Sequence, residues 1–193
     1  SSDVCSSDLK FWSLRKKKYF KIPNSTIAPL IKYIKKKFGD QKRVFIAIYY
    51  PSNYEFDLVG SFNYFIDKKI VPLLPVIKED SSLKFVKWEE KDVFFVNKFG
   101  IIEPSKEKKS YVPNLILAPL LAFDNLKNRL GYGKGYYDRF LNKQSSNKKK
   151  IEVIGIAFSF QRYKHLPISK FDYKLNKIFT EKGFVKWKVI YVH

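Results

Sequence analysis

The chain has 193 residues, 45% of them hydrophobic and 18% aromatic, which suits one globular domain with a sizeable core and excludes a disordered chain. A single cysteine, Cys5, and two histidines, His165 and His193, exclude an intramolecular disulfide and a cysteine-based zinc site, and argue against a His-rich metal centre or a Ser-His-Asp triad. Thirty-eight Lys and Arg against 18 Asp and Glu leave a charge of +20, which favours polyanionic partners, although AT-rich coding DNA gives the same lysine-rich mixture whatever the function.

Ser1–Leu9 (SSDVCSSDL) is free of lysine and unlike the rest, and is expected to be a non-native or disordered segment, leaving 10–193 as a single α/β domain. It lacks the basic start and apolar core of a signal peptide, and no apolar run approaches the ~18 residues that span a membrane, so the expected setting is reducing and cytoplasmic. Lys10–Phe20 reads as a short helix ended by Pro23. Ser25 or Thr26 caps a second helix, with Ile27, Leu30, Ile31, Ile34 and Phe38 at helical spacing and Gly39 as its stop. Arg43–Tyr50 (RVFIAIYY) is a strand buried on both faces, followed by a turn at Pro51–Asn53 and a helix over Phe56–Asp67. Ile70–Ile77 is a strand whose Pro72 and Pro75 place it at an edge or a strand end. Leu83–Trp88 is a further strand, Asn97–Tyr111 a loop, and Leu115–Pro119 a short buried strand. Leu120–Gly135 is a long glycine-punctuated loop, Tyr136–Lys143 a helix and Ser145–Lys150 a polar tip. Val153–Phe158 is a strand in which Gly155 points to the close approach of another backbone, and Lys177–Thr180 and Phe184–Val192 are the last strands. This alternation predicts an α/β three-layer sandwich, a mostly parallel central sheet with helices on both faces.

The chemistry concentrates in one stretch. Gly131, Gly133 and Gly135 fall between a buried strand and a helix, where backbone N–H groups are free to point at an anion and the helix N-terminus adds partial positive charge. Arg129 and Lys134 flank the loop and suit phosphate oxygens; Asp138, in the first helical turn, suits a metal ion or merely complements the dipole. The spacing is neither that of the P-loop nor that of the dinucleotide fingerprint, so the residues alone leave a phosphate site and a tight structural loop both open.

The strings V-P-N-L-I-L-A-P-L-L-A-F-D and N-R-L-G-Y-G-K-G-Y-Y-D-R-F-L resemble the signature of the 5-formyltetrahydrofolate cyclo-ligase (methenyltetrahydrofolate synthetase) family. Tyr50-Pro-Ser-Asn-Tyr-Glu55, Phe99-Gly-Ile-Ile-Glu-Pro104, Ile154-Gly-Ile-Ala, Leu166-Pro, Asp172 and Ile178-Phe-Thr-Glu181 follow in the family's order, so the likeness runs from about Leu14 to Thr180. The resemblance implies conversion of 5-formyltetrahydrofolate to 5,10-methenyltetrahydrofolate with ATP and Mg²⁺. By position it implies nucleotide contacts from Arg15 and from Arg129, Leu130, Gly131, Tyr132, Gly133, Lys134, Gly135, Tyr136 and Tyr137, with Lys134, Arg129 and Tyr137 serving catalysis. It further implies a folate wall of Tyr50, Glu55 and Tyr136, and magnesium ligands Asp138 and Asp172. Phe11 stands where the family usually has lysine, Lys127 where many members have glycine, and Tyr132 where others carry arginine or methionine.

That chemistry needs no nucleophilic side chain. The formyl oxygen is a poor leaving group until ATP phosphorylates it, after which a neighbouring nitrogen attacks and phosphate departs, so the protein has to align two reactants and neutralise a moving phosphoryl group. The expected partner is 5-formyltetrahydrofolate, including polyglutamylated forms, taken by a monomer that binds neither nucleic acid nor membrane. The alternative is a basic nucleic-acid-binding protein without catalytic activity, in which the glycine block has no role. Trp88 and Phe99 read as core, and His165 as an exposed loop residue.

Overall fold

Residues 2–60, 69–89, 91–97, 99–167 and 169–186 are described by the computed structural model. In chain order they form α1 (Ser2–Lys18), a 3-10 turn (Asn24–Ile27), α2 (Ala28–Phe38), β1 (Val44–Ala47), β2 (Ile70–Ile77), β3 (Leu83–Lys87), β4 (Phe94–Val96), β5 (Ile102–Pro104), β6 (Ser110–Tyr111), β7 (Leu115–Pro119), β8 (Ala122–Phe123), β9 (Arg129–Leu130), α3 (Tyr136–Ser146), β10 (Glu152–Ile156), a 3-10 turn (Ser159–Gln161), β11 (Lys177–Thr180) and β12 (Gly183–Phe184). No helix among them is long and apolar enough to cross a membrane.

One eight-stranded sheet, in the order β12-β11-β10-β7-β1-β2-β3-β6, organises the chain. Its five central strands run parallel, and antiparallel strands close both edges. The apolar runs that read as doubly buried strands sit in the middle: every residue of β10 and the first four of β7 are buried. On one face α2 lays Leu30, Ile34 and Phe38 against Ile46, Leu117 and Ile154. On the other, Leu141 of α3 packs with Ala47, Ile116 and Val153. Helices cover both faces, as the alternation of elements implies.

Several local expectations give way to pairing. β2 is not an edge strand, since β1 and β3 flank it. Its prolines are tolerated because neither position has to donate. Pro72 offers only its carbonyl, to Trp88 N–H (2.9 Å) just past the end of β3, and Pro75 lies beyond Leu73, the last residue paired with β1. Phe56–Leu58 is irregular and buries Phe56 and Leu58, and most of the helix expected over Phe56–Asp67 falls outside the described residues. The stretch read as a loop over Asn97–Tyr111 contributes β5, paired with β4, and β6. A second hairpin, β8 with β9, interrupts the glycine-punctuated loop. A Cβ at Gly155 would lie 2.6 Å from Leu175 and 2.8 Å from Leu120, so side chains rather than a backbone require the glycine. Phe11 is buried with Leu121, Ala122, Leu130 and Leu166, and fills a core position where the family usually has lysine.

Candidate active site

Strand order reverses between β1 and β7: after β1 the chain moves outward to β2, and after β7 to β10 and β11 on the opposite side. A parallel sheet opens a crevice at such a point, outside the carboxyl ends of its strands. A cavity of about 310 Å³ lies there. Tyr50, just after β1, and Pro119, which ends β7, stand on its wall, and Pro75, Ile77, Leu83, Phe99 and Ile102 give it an apolar side.

The opposite wall is the glycine loop. Asp124 shapes its entrance by accepting from the N–H groups of Leu126 (2.8 Å) and Asn128 (3.0 Å), and Lys127 adopts the left-handed conformation (φ +66°) that a glycine would take without strain. Gly133 (φ +72°) and Gly135 (φ +61°) are also left-handed, and Gly135 leads directly into α3. The first-turn amides of that helix have no intrahelical acceptor, so they are available to an anion.

Two cations serve this end differently. Arg129 is buried and donates from Nη2 to Asp138 Oδ1 (2.7 Å), with its guanidinium 5.4 Å from the Tyr137 ring centre. Lys134 is exposed, carries its Nζ 5.5 Å from the Phe99 ring centre, and makes no ion pair among the described residues. Burial pushes the Tyr137 hydroxyl well above its ordinary range, so it stays protonated.

At the part of the cavity that the family resemblance assigns to folate, Glu55 is 6% exposed. Its Oε1 accepts a hydrogen bond from the Tyr132 hydroxyl, and its Oε2 accepts from Ser52 N–H (2.9 Å) and Oγ (3.3 Å). Arg15 of α1 is 1% exposed, lies 4.0 Å from Glu55 Oε1 and 5.5 Å from the Tyr132 ring centre, and donates to Leu120 O (3.4 Å). Its Nε and Nη2 have no hydrogen-bond partner among the described residues. Burial raises the Glu55 pKa despite the opposing pull of Tyr132, Arg15 and Ser52.

Of the residues singled out in the sequence, Tyr50, Glu55, Arg129, Gly131, Tyr132, Lys134, Gly135, Tyr136, Tyr137 and Asp138 all line this cavity. Leu130 instead packs with Phe11, and Arg15 lies behind Glu55 and Tyr132. Asp172 is exposed and turns its Oδ2 to Ser169 N–H (2.8 Å), while the next residue, Tyr173, donates its N–H to Asp138 Oδ1 (3.1 Å). The sequence pattern leaves four wall residues of the F-G-I-x-E-P element unmarked as site residues: Phe99, which reads as core, Ile101, Ile102, and Glu103, whose buried Oε2 accepts from Ile77 N–H and Asn97 Nδ2, both at 3.1 Å.

No three His, Cys, Asp or Glu side chains gather as a metal cage among the described residues. Magnesium is usually held by one or two carboxylates together with substrate phosphates. Asp138, on the cavity wall with Oδ2 free of hydrogen bonds among the described residues, fits that mode; Asp172, whose carboxylate accepts from Ser169 N–H, is not among the described residues that line the cavity.

A sequence model of the 5-formyltetrahydrofolate cyclo-ligase family matches residues 35–181. The chain is 31% identical over 134 residues to the 5-formyltetrahydrofolate cyclo-ligase of Mycoplasma genitalium, covering 69% of this chain and 70% of that protein. To the Escherichia coli protein of the same name it is 30% identical over 120 residues, 59% of this chain and 65% of the relative, so the match spans just under two thirds of that relative's length. The NMR structure of Aquifex aeolicus 5,10-methenyltetrahydrofolate synthetase aligns with a TM-score of 0.72 at 26% identity, over 98% of this chain and 99% of that one. A Mycoplasma pneumoniae 5,10-methenyltetrahydrofolate synthetase shares the fold, with a TM-score of 0.68 at 23% identity. With the glycine block at the strand-order reversal and most of the chain matched, this protein belongs to the 5-formyltetrahydrofolate cyclo-ligase family.

Proposed function

We propose that this chain is an ATP-dependent ligase that converts 5-formyltetrahydrofolate to 5,10-methenyltetrahydrofolate, releasing ADP and phosphate by way of a phosphorylated formyl (imidate phosphate) intermediate. The observation that carries this reading is the convergence, in one cavity of about 310 Å³, of a cationic glycine loop with an aromatic and apolar wall that holds a buried carboxylate. The loop suits a nucleotide's phosphates and the wall a flat heterocycle that carries hydrogen-bond donors.

Each group then has a task. The amides of the glycine loop and the α3 N-terminus cradle the phosphates, with Arg129, held by Asp138, as their fixed anchor. Lys134, exposed and flanked by glycines, follows the phosphoryl group from ATP to the formyl oxygen. Tyr50, Tyr136 and Phe99 flank the heterocycle, and Glu55 accepts from it. Asp138 would hold magnesium with the phosphates, and Asp172 would join it on leaving the Ser169 amide; the ion neutralises phosphate charge when bound. The +20 charge steers anionic folates, polyglutamylated ones above all, toward a monomer working in the cytoplasm.

The test is to mix the protein with Mg-ATP and 5-formyltetrahydrofolate and follow methenyl absorbance. A rise that requires ATP and matches phosphate release supports the reading; no methenyl product under any ratio of the substrates refutes it.

A further inference from the structure

We infer that Tyr132 is a positioning residue for the folate side of the cavity: its hydroxyl, backed by Arg15, fixes Glu55 as the acceptor for an N–H donor of the substrate heterocycle. This rests on the folate reading above. It departs from the nucleotide contact that both Tyr132 and Arg15 would make by their places in the family pattern.

The geometry divides the acceptor sites of Glu55. An ionised carboxylate offers about four lone-pair sites. Tyr132 takes one on Oε1, and Ser52 takes both on Oε2 through its N–H and its Oγ. The site that remains is on Oε1, and Glu55 lines the cavity. Arg15 does not fill it: at 4.0 Å it supplies charge rather than a hydrogen bond. The Tyr132 ring is itself held, with the Arg15 guanidinium 5.5 Å from its centre. One buried oxygen with one open site, kept in place by neighbours 77 and 40 residues away in sequence, is what an amino or ring N–H donor of a reduced pterin requires.

Burial opposes the ionised form of Glu55, and the Tyr132 hydroxyl and Arg15 favour it. The titratable and charged groups facing it are Arg15 from α1, Tyr49 just after β1, Tyr132 from the glycine loop and Tyr137 from α3. All three tyrosines have raised pKa values and stay protonated, so Glu55 is the group there whose charge changes as pH falls.

The experiment is calorimetric binding of 5-formyltetrahydrofolate, and separately of Mg-ATP, between mildly acidic and neutral pH. It compares the wild type, Tyr132→Phe, Glu55→Gln and the double variant. An acceptor must be ionised, so folate affinity is present above the Glu55 pKa and lost as pH falls through it. Tyr132→Phe keeps the ring beside Arg15 and removes the donor, so the pH at which folate affinity falls should rise by about one unit, the equivalent of one hydrogen bond to a charged group. Mg-ATP affinity should stay within about twofold of wild type, since the hydroxyl is committed to Glu55. In the Glu55→Gln background Tyr132→Phe should move nothing further. An unchanged folate pH profile in Tyr132→Phe, or a loss of Mg-ATP affinity in its place, overturns the inference alone. A wild type that binds Mg-ATP but no 5-formyltetrahydrofolate overturns the folate reading and this inference with it.

Discussion

Replacing Lys134 by alanine should lower kcat by roughly 10²–10³, equivalent to about 2.7–4 kcal/mol of transition-state stabilisation, and leave KM for ATP little changed. The expectation follows from how little the resting protein asks of this side chain. Its ammonium makes no ion pair among the described residues, and its contact is with the Phe99 ring, 5.5 Å from the centre. It is exposed, between Gly133 and Gly135, so truncation should leave folding stability within about 0.5 kcal/mol of wild type. A mobile point charge on the cavity wall contributes most where negative charge is in transit, and less to a phosphate chain already held by Arg129 and loop amides. Steady-state initial rates of methenyl formation with ATP varied, beside a thermal unfolding curve, make the measurement. Unchanged kcat would mean that Lys134 serves only the surface, and a pure rise in KM would reduce it to an ATP anchor; either result refutes the argument.

Arg129→Ala should behave in the opposite way, raising KM for ATP and destabilising the fold by roughly 1–3 kcal/mol, because it strands Asp138 beside a largely buried guanidinium site; urea unfolding and ATP titration check both. Glu55→Gln should gain stability relative to wild type near neutral pH. Burial puts the folded pKa of Glu55 above its ordinary 4.5, so its ionised form opposes folding at high pH and that penalty fades as pH falls through the folded value. The difference in Tm between the two proteins should therefore shrink toward pH 4.5, and a constant difference would contradict it. Gly135→Ala should lose about 1 kcal/mol or more because its φ is +61°, whereas Gly131→Ala, with ordinary φ and 3.6 Å of room to Arg129 Nη1, should fold nearly as well as wild type; equal losses in urea unfolding would refute the distinction.

Much of this architecture is legible in the amino-acid sequence, because it is written in local periods. Helical spacing places Leu30, Ile34 and Phe38 on one buried face of α2, and unbroken apolar runs announce β1, β7 and β10 as central parallel strands. The glycine block between a strand and a helix names Arg129, Lys134 and Asp138, and all three meet in one cavity. What local pattern cannot contain is the identity of a residue's neighbour across the fold. Pro72 and Pro75 read as edge signals, yet the ends of β1 and β3 decide which N–H groups the ladder needs, and neither proline falls on one. Phe11 stands where the family usually has lysine, and Leu121, Ala122 and Leu166, more than 100 residues away, enclose it as core. Asp172 is marked by order in the motif, but its turn gives its carboxylate to Ser169 and leaves the approach to Asp138 to the Tyr173 amide. Tyr132 reads as part of a phosphate loop, and only the crossing of that loop with the segment after β1 sets its hydroxyl on Glu55. Periodicity and turn chemistry act over a few residues and survive in the sequence; burial and acceptor sharing are settled by contacts between distant segments, and these exist only once the chain has closed on itself.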